Sequence, residues 1–183
     1  MFAFSPTKTA QASALFLKQE PGQRMGRLRL LKLLYIADRE RIKCCGRPIT
    51  GDRIVAMDHG PVLSRTYSLI KGEDFSADLW DPFIKSVGRD VVLKADPGNG
   101  DLSRHEMRVV HDVSFRYRDL DDYGVAAVTH QFAEWIRNQP APGMVKAIPM
   151  ADVLEATGRA GDAAGIADAA RAEQSMSRLL ASV

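Results

Sequence analysis

The residues of this chain that could carry chemistry are four histidines, two adjacent cysteines and several acidic pairs. His59, His105, His111 and His130 include no HExxH pair, in which one helix face presents two zinc ligands and a base. His105 and His111 are six positions apart, which puts them on different faces of a helix. His59 follows Asp58 in a turn. His130 precedes Glu134 by four positions among apolar neighbours that should bury it, so it needs a hydrogen-bond partner. Cys44 and Cys45 are neighbours, a geometry that strains a disulfide, and no second cysteine pair completes a zinc site. They read as two semi-buried free thiols at a helix end, which fits a reducing compartment. Asp121-Asp122 and Glu73-Asp74 read as loop residues with no sign of convergence on one cleft, which acid–base catalysis requires. Ser64 follows Gly60-Pro61-Val62-Leu63, not a hydrolase elbow. The glycines between Asp96 and Asp101 form a surface turn and no phosphate loop. The expectation is a protein with no catalytic residue, no metal and no cofactor, and not an enzyme.

Charge is the other feature that could meet a partner. Residues 1–50 hold ten Lys and Arg against three Asp and Glu, and the rest hold fifteen against twenty. The two parts are therefore +7 and −5, within a whole-chain charge of +2. A basic face built on the first third could meet nucleic acid, an acidic partner, or the acidic remainder of the same fold. Length and composition suit an ordinary globular core: 183 residues, 45% hydrophobic, 26% charged. The expected division is a helical core over residues 1–143 and a C-terminal helical extension over 144–183 packed on it. No run approaches the ~20 apolar residues needed to cross a bilayer. The first residues show no secretory pattern, so cytoplasmic residence is expected, with no membrane partner.

The elements that must position these residues are mostly helical, with a small β-hairpin, in a single compact helical domain of α+β type. Residues 9–19 predict a helix ended by Pro21-Gly22. Arg24 to Lys43 is the strongest helix, with Leu30, Leu31, Leu33, Leu34, Ile36 and Ala37 as a wide apolar stripe and Arg29, Lys32, Arg39, Glu40 and Lys43 mostly away from it. Asp52 to Met57 reads equally as extended or as a short helix. Pro61 suits the first position of the next helix, which Tyr67 shares. Phe83–Val87 and Asp90–Ala95 predict a hairpin turning at Gly88-Arg89. Ser103 and Glu106 form a capping box opening a helix to about Tyr117. Val125–Arg137 predicts one helix, Pro149–Thr157 a short one, and 162–181 an Ala-rich one. In that last helix Ile166, Ala169, Ala170, Met176, Leu179 and Leu180 form the apolar side. The basic helix and the helix from Pro61 lie too far apart for a helix-turn-helix.

In order, these pieces resemble the Panacea domain, the SocA-like antitoxin family. The resemblance is carried by Leu30-Leu-Lys-Leu-Leu-Tyr-Ile-Ala37, Gly46-Arg-Pro48, Ile54-Val-Ala56, Gly60-Pro-Val62 with Tyr67, Thr129-His130 with Trp135, and Asp152-Val-Leu-Glu-Ala-Thr-Gly158. It spans roughly residues 8–158. Arg29 stands where Lys is common and Glu134 where Pro is frequent; either alters partner choice if exposed. The resemblance implies a mostly helical domain with a small β element. It also implies an antitoxin that neutralises a toxin encoded nearby by direct contact, with delivery to an ATP-dependent protease as one route. The alternative reading is a nucleic-acid-binding autoregulator using the basic N-terminal third. Leu33, Leu34, Gly60, Pro61, Val62, His130 and Trp135 are expected to be structural. Lys32, Tyr35, His59, Arg65 and Tyr67 are expected to line an exposed partner-binding rim. The Ala-rich tail is open between docking on its own domain, pairing with a second copy and staying mobile.

Overall fold

A computed structural model describes residues 2–181, apart from the side chains of Glu173, Gln174 and residues 177–181. The chain runs α1 (Pro6–Lys18), β1 (Arg24–Gly26), α2 (Arg27–Cys45), β2 (Ile54–Met57), β3 (Gly60–Leu63), α3 (Ser64–Lys71), β4 (Ile84–Val87) and β5 (Asp90–Leu93). It continues through α4 (Arg104–Arg116), α5 (Asp122–Thr129), α6 (Ala133–Arg137), β6 (Lys146–Ala147), α7 (Met150–Ala156) and α8 (Ala163–Ala181). It is a mainly helical α+β fold. The strands form two small antiparallel sheets, β1-β5-β4 and β3-β2-β6, where one hairpin was expected.

Helix α2 is the centre of the packing, touching α1, α4, α5, α7 and strand β3. Every member of its apolar stripe is buried, and Leu33 is fully inaccessible. Arg29 and Lys32 are buried with them, so the expected polar face is interrupted. The expected start at Arg24 is also corrected. Residues 24–26 form β1, with Met25 opposite Val91 and Gly26 opposite Asp90. Three residues of strand carry too little period to be read locally; pairing with a distant hairpin creates them. The α2 C-terminus closes on Gly46 in the left-handed region, φ 74°. The Arg159 guanidinium donates to the free carbonyls of Lys43 and Cys44, at 3.3 and 3.0 Å, from the segment before α8.

Several local expectations change. Residues 54–57 are strand. Pro61 lies inside β3, opposite Ala56, and α3 begins at Ser64 instead. A proline is tolerated there because β3 is an edge strand. The job of starting α3 falls to buried Asp52, whose carboxylate accepts from Arg65 N (3.0 Å), Thr66 N (2.8 Å) and Thr66 Oγ1 (2.8 Å). The single helix expected over 125–137 is two, because Phe132 is extended (ψ 130°) between α5 and α6. The hairpin at Gly88 (φ 63°) and the Ser103–Glu106 capping box form as expected. On α8, Ala170 is buried and Ile166 packs over Gly46, but Ala169 and Met176 are exposed; the Leu179 and Leu180 side chains lie outside the described residues. Cys44 and Cys45 are free and exposed, not semi-buried. No described helix is long and apolar enough to cross a membrane.

Candidate functional site

The conspicuous feature is a cavity of about 440 Å³ against the N-terminal half of α2. Arg27, Leu28, Leu31 and Lys32 face it, the spacing of one helix side. The β2–β3 hairpin supplies Met57, Asp58, His59 and Val62, and α3 supplies Tyr67. Arg89 reaches it from the β4–β5 turn, Asp122 and Tyr123 from the start of α5, and Gly143 and Met144 from the loop before β6.

Lys32 is inaccessible to solvent, and its ammonium donates to the Pro61 carbonyl at 2.7 Å. No carboxylate pairs with it among the described residues. A cation taken out of water without a counter-charge is disfavoured, and burial draws its pKa from 10.5 down to about 7. Gly60 makes this approach possible. A Cβ there would sit 2.6 Å from Thr129 Oγ1, 3.1 Å from the His130 ring and 3.2 Å from Lys32 Nζ, and φ is 95°. Only glycine tolerates both constraints.

His130 stacks on Trp135, ring centres 4.3 Å apart and planes at 17°. The Trp135 indole N–H reaches the Met57 carbonyl at 3.4 Å, which ties this stack to the hairpin. The His130 ring finds a hydrogen-bond partner in the His59 backbone, as expected, while its buried Nε2 has none. Burial first, then the neighbouring Lys32 charge, holds the His130 pKa below its usual value. The separated stretches around Lys32, Gly60-Pro61 and Thr129-His130 therefore meet at one point behind the cavity.

The cavity's own carboxylates are engaged. Asp58 accepts from Gly143 N at 3.1 and 3.0 Å, holding the 140–143 loop. Asp122 packs over Gly26 and accepts from the Arg29 backbone at the start of α2; burial raises its pKa. By contrast Arg27 and Arg89 are exposed, and neither forms an ion pair among the described residues. The Arg27 backbone N–H donates to the Arg89 carbonyl at 2.9 Å, so β1–β5 pairing brings these two residues to the same cavity.

The expected rim is therefore partly corrected. His59 is exposed and Tyr67 half-buried; both line the cavity. Lys32 lines it too, but from a buried position. Tyr35 is fully buried and donates to Glu134 Oε1 at 2.6 Å, which also binds Arg39 Nε at 2.7 Å. Arg65 is held bidentately by Asp74 at 2.8 and 2.7 Å, between the Phe4 and Phe75 rings, and does not line the cavity. Arg29 and Glu134, the two departures from the resemblance, are both buried, so neither is an exposed determinant of partner choice. Arg27, Arg89, Tyr123 and Met144 escaped the sequence reading, and Asp122, read as a loop residue facing no cleft, begins α5 and lines the cavity; strand pairing, the start of α5 and the loop before β6 place them.

Ion pairs to the acidic remainder of the fold take up part of the basic first third. Lys8 pairs with Glu106 (2.9 Å), Lys18 with Asp96 (2.6 Å), Arg24 with Asp90 (2.5 Å) and Arg39 with Glu134 (2.7 Å). No described group of three or more His, Cys, Asp or Glu side chains could hold a metal.

A family model described as "Antitoxin SocA-like, Panacea domain" matches residues 30–136, more than half of the chain. The match includes Lys32, Gly60, His130 and Trp135 but stops short of the 140–143 loop, α7 and the Asp152–Gly158 stretch. No curated protein and no solved structure matches the chain.

Proposed function

The chain belongs to the SocA-like Panacea-domain family, and from that premise we propose that it is a non-enzymatic antitoxin that neutralises a toxin by direct contact at the cavity face. The observation that carries the reading is the convergence of Lys32, Gly60-Pro61 and Thr129-His130 behind a cavity with an apolar wall and unpaired cations. Such a surface suits recognition, since a few polar groups fix orientation while apolar area supplies affinity. The exposed Tyr123, Met144 and Val145 widen it beyond the cavity mouth. Release of the bound toxin to an ATP-dependent protease is a second step compatible with the same complex.

Expression of the adjacent open reading frame, alone and with this chain, tests the proposal. The neighbour is expected to arrest growth alone, to be tolerated in co-expression, and to co-purify with this protein. A harmless neighbour, together with no toxic protein captured from the source cell, would sink it. Protease delivery has its own readout: the toxin's half-life should shorten only when both this chain and the protease are present.

A further inference from the structure

We propose that the cavity seats a carboxylate carried on an apolar stem, supplied by an acidic segment of the protein partner. The source of the carboxylate rests on the antitoxin reading; the chemistry of the site does not.

Lys32 places a positive group just behind the cavity wall, closed to solvent, where its charge acts on the cavity at short range with a single neutral oxygen for company. A buried cation in that position is under-compensated, and an incoming anion would be its counter-charge. Arg27 and Arg89 stand at the same cavity, exposed and unpaired among the described residues. A planar guanidinium fork matches a carboxylate bidentately. Two acids, Asp58 and Asp122, stand at the same cavity, held by Gly143 N and the start of α2, so its three cations outnumber them by one. The charge the cavity lacks is therefore negative.

The stem is apolar because the wall is: Leu31 and Val62 line it beside the Tyr67 ring. A polypeptide is favoured over a free acid by what lies outside. Tyr123, Met144 and Val145 remain 65%, 62% and 57% exposed, an apolar shelf beyond the reach of a single small ligand. A chain laid across this shelf would deliver one acidic side chain into the cavity and rest its apolar neighbours on the rim.

A panel of N-acetylated apolar octapeptides, with Glu walked through the positions and a Gln twin for each, tests this against the full-length protein by amide chemical-shift titration. At least one Glu peptide is expected to bind about tenfold tighter than its twin, the scale of a hydrogen bond to a charged group, with shifts at residues 27–32, 57–62 and 122–123. Added salt should erode the preference. The preference should vanish in the double variant Arg27→Ala/Arg89→Ala, whose unfolding temperature should match the parent because both side chains are exposed. In Lys32→Met it should vanish as well. Equal binding of Glu and Gln peptides, or shifts elsewhere on the surface, would overturn the proposal. So would 4-phenylbutyrate binding as tightly as the best peptide, which would assign the cavity to a free acid. A missing Glu preference in a protein that still captures a toxin sinks this inference alone. A clear Glu preference in a protein that captures none sinks the antitoxin reading and leaves the site.

Discussion

Helix α2 buries two charges, Lys32 and Asp38, and the fold treats them in opposite ways. Asp38 is surrounded by donors: Ile49 N at 2.8 Å, Thr50 N at 3.0 Å and the Thr50 hydroxyl. Its carboxylate fastens the chain where it leaves α2 and turns towards β2. Lys32 has one carbonyl and an adjoining cavity. Burial shifts both, Asp38 up from 3.8 to about 7 and Lys32 down from 10.5 to about 7. In Asp38 three bonds from Thr50 and Ile49 oppose that shift, whereas Lys32 has only the bond to the Pro61 carbonyl. A saturated buried charge is a fastener. An under-saturated one beside a cavity costs stability, and on the proposed reading it is held for a partner.

The largest expected effect breaks the fastener. Asp38→Ala strands the Ile49 and Thr50 amides and should destabilise the protein by about 3–5 kcal/mol, at roughly 1–3 kcal/mol for each buried group left unpaired. Denaturant unfolding would read it, and a loss under about 1 kcal/mol would show that water reaches those amides. Gly60→Ala comes next, on the Lys32 side. It must fit a side chain against Thr129 at a φ of 95°, so a loss of about 1–3 kcal/mol is expected. An unchanged midpoint would mean that the hairpin shifts freely and that Lys32 is not held by it.

Comparable in size, and sharper, is the pH dependence. Asp38 holds its proton more tightly folded than unfolded, so between about 3.8 and 7 its contribution to stability falls as pH rises. Lys32 holds its proton less tightly folded, so between about 7 and 10.5 its contribution rises with pH. The unfolding temperature of Asp38→Asn relative to the parent should therefore change mainly below neutrality, and that of Lys32→Met mainly above it. Identical pH profiles for both variants would erase the distinction between the two charges.

The same contrast explains what the sequence could reveal. The Leu30–Ala37 stripe, the Ser103–Glu106 box and the Gly88 turn are local patterns, and each formed as its residue types require. β1 and the strand position of Pro61 were not legible, because each depends on a partner distant in sequence: β5 for one, β2 and the Asp52 cap of α3 for the other. Of the site, Lys32, His59 and Tyr67 could be named from their neighbours, but not the burial of Lys32. A lysine letter reads as surface, and only the packing of β3 and α5 on α2 makes it otherwise. Arg27 and Arg89 became a pair only through strand register. Tyr35 and Arg65 misled because their polar tips are spent on Glu134 and Asp74.

The central claim is that Lys32 is kept for binding and not for folding. Lys32→Met keeps an unbranched side chain, one atom shorter, and removes the charge. Its unfolding free energy and its capture of the toxin should be measured on the same preparation. The account predicts stability equal to the parent or higher by up to about 2 kcal/mol, as when a buried charge gives way to an apolar group, with capture weakened at least tenfold. A destabilised variant that captures the toxin as well as the parent would contradict it.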